Sequence, residues 1–323
     1  MEVSGNDGAF NKARNIVTFA KPPWVEREHS GKLERLILQL GSGKGVFSEV
    51  EGIPRSIGCI GNNRFILRDT PMELDLIESV IREFAMISGR DLYLTNYDEL
   101  SILEEVSHFS VTLPIENVYP VVRIEDFKKA SFSTDVKPIV EVRYSRRNME
   151  RLQDIEGAHA ILLMIKGEEI WSIKNFSFPC EVYIDVLFPG SLRKVDFDLM
   201  EAKRIFKAHM TFHPCLSGTL AITPEGFALP CPLLRNFIVG NVKELSLKQI
   251  LRKRRLKKFW KLKKEDIDGC KLCPFNSTCH DCRALEYYAS GDIMGLEYCP
   301  LDHPSRHNVQ GVFSFTPCYL NSI

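Results

Sequence analysis

Seven of the ten cysteines in this chain fall in one segment, in the order Cys215, Cys231, Cys270, Cys273, Cys279, Cys282 and Cys299. Crowded thiols oxidise and their thiolates repel, so a segment that gathers them in a reducing compartment has to neutralise them, and bound metal does so. Such a segment folds around inorganic centres as much as around apolar side chains. Cys270-x2-Cys273 and Cys279-x2-Cys282 have the short gaps that let consecutive thiolates converge, as zinc and iron-sulfur sites both require. Cys215 and Cys231 flank a predicted hairpin, residues 219–223 and 227–229 around the turn Pro224-Glu225-Gly226, whose open end would bring the two thiols together.

The rest of the chain sets the frame. Its 323 residues suffice for one large unit and a smaller one. No apolar run is long enough to span a membrane, and residues 1–30 lack the order of a secretory signal, so a cytoplasmic setting is expected. The 42 basic and 42 acidic residues balance, which argues against a global field for nucleic acid or membrane. The local exception is residues 252–264, nine of thirteen Lys or Arg, with Leu256, Phe259 and Trp260 interleaved. Such a helix grips nucleic acid or an acidic peptide, or it is a solvated helix with its apolar residues on the core; the second reading is favoured.

Residues 1–32 are polar and read as a tail or edge segment. Over residues 33–209 short apolar runs alternate with segments of helical period, the pattern of parallel sheets joined by crossovers. Predicted strands are 36–40, 64–67, 91–95, 109–113, 139–144, 160–165 and 182–187; predicted helices are 74–87, 146–155 and 198–209. This is an α/β pattern of an incomplete (β/α)6-type barrel, with any ligand at the carboxyl ends of the strands. Gly41-Ser42-Gly43-Lys44-Gly45 fails the phosphate-loop pattern, because Gly45 stands where a hydroxyl is needed, and reads as a strand-end turn. A small cysteine-rich unit follows at 210–304, with a long helix over 246–263 and a short one over 284–290. Residues 305–323 read as a second tail.

The fragments Thr223-Pro224-Glu225-Gly226, Pro230-Cys231, Gly240-Asn241, Cys282-Arg283-Ala284, Gly291-Asp292 and Cys299-Pro300 occur in order among the cysteines. With them the stretch from Cys215 to Asp302 resembles the SPASM domain, the extension of many radical S-adenosylmethionine (radical SAM) enzymes that holds auxiliary 4Fe-4S clusters. The resemblance implies one cluster on Cys270, Cys273, Cys279 and Cys299, and a second site on Cys215, Cys231 and Cys282. Three thiolates leave that second site short of a ligand. Cys180, Cys318, His213, a small molecule or nothing would complete it, an open iron being a candidate substrate position; alternatively only one cluster is present. His280-Asp281 departs from the glycine common in relatives.

Upstream, the alternating region resembles the partial barrel that precedes a SPASM domain, but the Cys-x3-Cys-x2-Cys motif of radical SAM enzymes is absent. Residues 1–209 contain only Cys59 and Cys180, both read as buried apolar thiols. The Gly-Gly-Glu-Pro segment has no match either; Asn96-Tyr97-Asp98-Glu99 stands in its place. His209, His213 and His280 each read as structural or surface histidines. The resemblance thus implies a degenerate relative that binds one or two 4Fe-4S clusters and is not expected to use S-adenosylmethionine. Its expected role is an accessory or electron-relay subunit in peptide or metalloenzyme maturation, partnered by a peptide, a redox protein or an intact radical SAM enzyme. The alternative is a zinc module on Cys270, Cys273, Cys279 and Cys282 whose basic helix contacts nucleic acid or protein. No acid, base or nucleophile set marks a non-radical enzyme.

Overall fold

The computed structural model describes residues 15–47, 52–153, 155–166, 169, 172–173, 177–188, 211–274, 276 and 282–299. Its strands, in chain order, are β1 (Ile16–Phe19), β2 (Arg35–Gln39), β3 (Ile53–Pro54), β4 (Asp91–Thr95), β5 (Asn117–Arg123), β6 (Ile139–Arg143), β7 (Ala160–Ile165), β8 (Glu181–Phe188), β9 (Thr219–Ile222), β10 (Phe227–Leu229) and β11 (Gly240–Asn241). The helices are α1 (Leu74–Met86), α2 (Leu100–Val111), the single turn α3 (Ile124–Phe127), α4 (Arg146–Leu152), α5 (Leu247–Leu251), α6 (Arg254–Trp260) and α7 (Arg283–Ser290). One sheet runs in the order β1-β8-β7-β6-β5-β4-β2-β9-β10-β11, with β3 antiparallel on β8. Strands β2 and β4 to β8 are parallel and succeed one another in space as in sequence, which makes the six-strand α/β unit expected.

Both faces of this sheet are buried, which is why its strands read as apolar runs rather than alternating ones. Leu36, Leu38, Leu92, Leu94, Ile161 and Leu163 face one way and pack with Ile77, Ile81 and Phe84 of α1. Ile37, Tyr93, Val121, Ile139, Leu162 and Met164 face the other way and pack with Ile57, Cys59 and Ile60. Those three belong to a 3-10 turn, Ile57–Gly61, in the loop that follows β2. The turn contacts β4, β7 and β8. Since β5 and β6 lie between β4 and β7, the sheet curls around the turn. The result is a partial barrel whose concave side is filled by the loop after its first strand.

Three expectations need correction. Residues 109–113 end α2 instead of forming a strand: Ser107 and Ser110, which obscure the helical period, donate to the carbonyls of Leu103 and Val106, both at 2.6 Å, and so sit buried in a helix. The true strand is β5, hidden by Pro120, which pairs with Leu94 in the sheet interior despite the usual confinement of proline to edges. Residues 64–67 form no strand; the Ile66 and Leu67 amides donate to the Glu225 carboxylate, the latter at 3.0 Å. The long helix breaks into α5 and α6 at Lys253, whose ψ is 125°. Ile250 and Phe259 are both buried, yet about two and a half turns of unbroken helix would set them on opposite sides.

Other expectations stand. Leu256, Phe259 and Trp260 of the basic helix are buried on the core, as expected, while Arg254, Arg255, Lys257 and Lys258 are exposed. Gly41–Gly45 is a strand-end turn, its Gly43 amide donating to Asp98 at 2.7 Å. The predicted short helix is α7, closed by Gly291 at φ 75°, the left-handed cap that glycine tolerates. β1 joins the sheet edge beside β8, within the stretch read as a tail or edge segment. The predicted helix 198–209 lies outside the described residues. No described helix is long and apolar enough to cross a membrane.

Candidate metal centre

The cysteine-rich segment does not hang from the barrel; it continues the barrel's sheet. β9 pairs in parallel with β2, from Arg35 opposite Thr219 to Leu38 opposite Ile222, and β10 turns back on β9 through the predicted hairpin. Cys215 therefore lies just before, and Cys231 just after, two strands anchored to the first barrel strand. The Cys215 carbonyl accepts from Trp24 Nε1 at 3.1 Å and Thr219 Oγ1 at 3.2 Å. Cys282 stands at the N-cap of α7.

On the concave side, the Ile57–Gly61 turn is held by polar groups aimed inward from the strands, because a buried loop needs partners for its backbone. Asp185 of β8 accepts from the amides of Arg55 at 2.8 Å, Ser56 at 3.1 Å and Gly58 at 2.8 Å. Gln39 at the end of β2 donates to the carbonyls of Ile60 and Asn62, each at 3.2 Å. Asn63 donates to Gly41 O at 3.0 Å and accepts from Thr95 at 2.9 Å. The turn is thereby fixed at both ends, and Cys59 with it.

Cys59 meets the cysteine-rich segment. Its thiol lies close enough to those of Cys231, Cys215 and Cys282 to interact with them, and it shares a buried apolar cluster with Cys231, against which Cys215 and Cys282 pack. Cys231 also accepts from the Leu233 amide at 3.4 Å. Cys59 is buried among apolar residues, as read, and the sequence did not show that the cysteine-rich segment's thiols are its neighbours. The neighbouring Cys231 thiol, then burial, then the fields of Cys231, Cys215 and Cys282 push the Cys59 thiol well above its ordinary range. Burial, with the field of Cys231 behind it, pushes Cys282 up to about 12. Cys231 is shifted the opposite way, its thiol pulled below the ordinary range by its interaction with Cys59; cations among the sulfurs would release the protons that Cys59 and Cys282 keep.

Positive charge stands nearby: Arg235 acts on Cys231, Arg55 on Cys282 and the fully buried Arg35 on Cys215. That field suits an anionic cluster. Among the described residues no three His, Cys, Asp or Glu side chains are drawn in tightly enough for a single metal ion.

The other predicted ligands are placed as follows. Cys270 is buried and Cys273 half-buried on successive turns, the Cys273 amide donating to Cys270 O at 3.1 Å; Cys299 is half-buried in a turn closed on Leu296 O at 3.1 Å. Cys279 lies outside the described residues, as do His209, His280 and Cys318. Cys180 packs against the opposite, helix-covered face of the sheet, so it does not complete the Cys215, Cys231 and Cys282 site. The Nδ1 of buried His213 accepts from the amides of Cys215 and Leu216, each at 3.1 Å, a structural use of the ring. None of the described cysteines forms a disulfide.

The same concave side holds Glu141 of β6, fully buried, its Oε1 accepting from the Val46 amide at 3.0 Å. Burial raises its carboxyl to about 7, against the pull of Tyr97 and Val46. Its stabilising effect is thus complete below pH about 4.5 and is lost as pH rises through about 7, because the unfolded chain ionises first. Glu141→Gln is expected to remove roughly 3 kcal/mol of the decline in unfolding free energy between pH 4.5 and 7.5, measured by urea denaturation at each pH.

Residues 214–274 match the SPASM family model, described as an iron-sulfur cluster-binding domain; the match ends before Cys279, Cys282 and Cys299. No curated protein matches the sequence. Among solved structures, the fold is similar to that of native anSMEcpe with bound AdoMet and the Kp18Cys peptide, with a TM-score of 0.50 and 11% identity, covering 78% of this chain and 90% of that one. It is also similar to Streptococcus suis SuiB, with a TM-score of 0.46 and 11% identity, covering 87% of this chain and 77% of that one. At such identities the structural likeness concerns the fold alone. Residues 214–274 are thus similar to the SPASM iron-sulfur cluster-binding domain, and the parallel partial barrel ahead of them shares its fold with anSMEcpe.

Proposed function

We propose that this protein is a non-catalytic radical SAM relative that has kept auxiliary clusters and serves a partner with them, as an accessory or electron-relay subunit in the cytoplasm. The observation that carries this reading is the loop after the first barrel strand. In place of a Cys-x3-Cys-x2-Cys motif it offers one cysteine, and its Ile57–Gly61 turn fills the concave side of the barrel. Asp98 occupies the amide of Gly43, and Gln39, Thr95 and Asp185 hold the loop. Polar groups at the strand ends are spent on the chain's own backbone.

A bound 4Fe-4S cluster supplies one-electron transfer. This chain's residues would hold it through the Cys215, Cys231 and Cys282 thiolates and through Cys270, Cys273, Cys279 and Cys299. Arg55 and Arg235 would favour its reduced, more negative state. anSMEcpe has been seen with a peptide, and a peptide or protein partner is proposed here on that likeness.

The test is anaerobic reconstitution followed by iron, sulfide and zinc analysis, then incubation of the reduced protein with S-adenosylmethionine. Iron and acid-labile sulfide in equal amounts, with no 5'-deoxyadenosine, are expected. Zinc without sulfide would sink the cluster reading, and 5'-deoxyadenosine above a protein-free control would sink the non-catalytic one.

A further inference from the structure

We infer that Cys59 is the fourth thiolate of the Cys215, Cys231 and Cys282 site, so that the barrel loop and the cysteine-rich segment hold one cluster between them. The inference rests on the cluster reading proposed above and specifies how that site is closed. Three thiolates leave one iron in need of a ligand. Of the other candidates among the described residues, Cys180 lies on the far face of the sheet, and the His213 Nδ1 accepts from two backbone amides. Among the described residues, Cys59 is the thiol that the fold delivers to the place: it is buried in the same cluster as Cys231, with Cys215 and Cys282 packed against that cluster, and it lies within interaction range of all three.

Its position is imposed from outside the site. Asp185 takes the amides on one side of Cys59, and Gln39 takes the carbonyls on the other. The turn is thus preorganised without metal, which is what a ligand on rigid backbone needs. Each thiol that coordinates releases its proton, and Arg35, Arg55 and Arg235 stand near the three partners to offset the negative charge.

Closure by a fourth thiolate changes what the site can do. With every iron bound to sulfur from the protein, no position remains for a substrate, so this cluster is a relay or a structural clasp. The clasp joins barrel to cysteine-rich segment, and loading it ties the two together.

The experiment compares reconstituted wild type with Cys59→Ser, Cys59→Ala, Cys231→Ala and Cys180→Ser, by iron and sulfide content and by EPR of the reduced proteins. Far-UV circular dichroism and urea melts confirm that each variant folds. Cys59→Ala is expected to lose about four irons per chain, matching Cys231→Ala, and Cys59→Ser to lose them or keep them with altered g values. Cys180→Ser is expected to match wild type. Folded Cys59 variants with wild-type iron, sulfide and EPR would overturn the ligand assignment alone. Wild type that holds no iron or sulfide would instead overturn the cluster reading, and the assignment with it.

Discussion

Arg35→Met is expected to lower unfolding free energy by about 3 to 5 kcal/mol, the range for removing one partner of a buried ion pair. Arg35 is fully buried on β2, and its guanidinium joins units far apart in the chain. Nε donates to Thr219 Oγ1 at 3.0 Å, another nitrogen to Ser217 O, and Nη1 meets Glu34 Oε2 at 3.2 Å, with the Trp24 ring 5.0 Å from the guanidinium carbon. Thr219 and Ser217 open the cysteine-rich segment, so this one side chain fastens the pairing of β9 on β2. Methionine fills the volume but leaves those acceptors without the fork. Arg35→Lys keeps the charge and loses the planar geometry, and is expected to fall between the two. Urea denaturation followed by tryptophan fluorescence and circular dichroism checks this, and Arg35→Met is expected to separate the two transitions. Wild-type stability in Arg35→Met would mean that the strand pairing alone holds the junction.

The parallel barrel was legible because strands buried on both faces, such as residues 160–165, read as apolar runs whatever surrounds them. Strand β5 was not, because the rule that keeps proline out of sheet interiors is statistical, and Pro120 pairs with Leu94 inside the sheet all the same. The cysteine spacing led to the SPASM segment, since its local turns bring ligands close in sequence close in space. Cys59 escaped for the opposite reason. Its approach to Cys231 depends on a curled sheet and on a turn held by Asp185 and Gln39, long-range contacts that no spacing encodes. The available signal was arithmetic: a site short of one thiolate, and a lone cysteine in the loop after the first barrel strand.

Asp185→Ala is expected to cost about 3 kcal/mol, the upper end of the range for leaving buried amides unsatisfied, and to disturb the metal site without touching a ligand. The Asp185 carboxylate is fully buried and accepts from three amides of the loop that carries Cys59. A methyl group built on Gly58 would lie 2.6 Å from Asp185 Oδ2, so glycine is what lets the backbone come this near. Without the carboxylate, the Arg55, Ser56 and Gly58 amides must find water, and the turn loses its fixed place on the concave side. Asp185→Asn keeps the volume but turns one acceptor into a donor against an amide, and is expected to fall between alanine and wild type. Because Cys59 depends on the turn, reconstituted Asp185→Ala is expected to lose about half its iron while all cysteines remain intact. The Cys270, Cys273 and Cys299 set lies on turns that do not involve this loop, and its cluster is expected to survive. Iron analysis and EPR at a temperature where the variant is folded distinguish the two sites; full wild-type occupancy there would show that the turn holds Cys59 in place without Asp185.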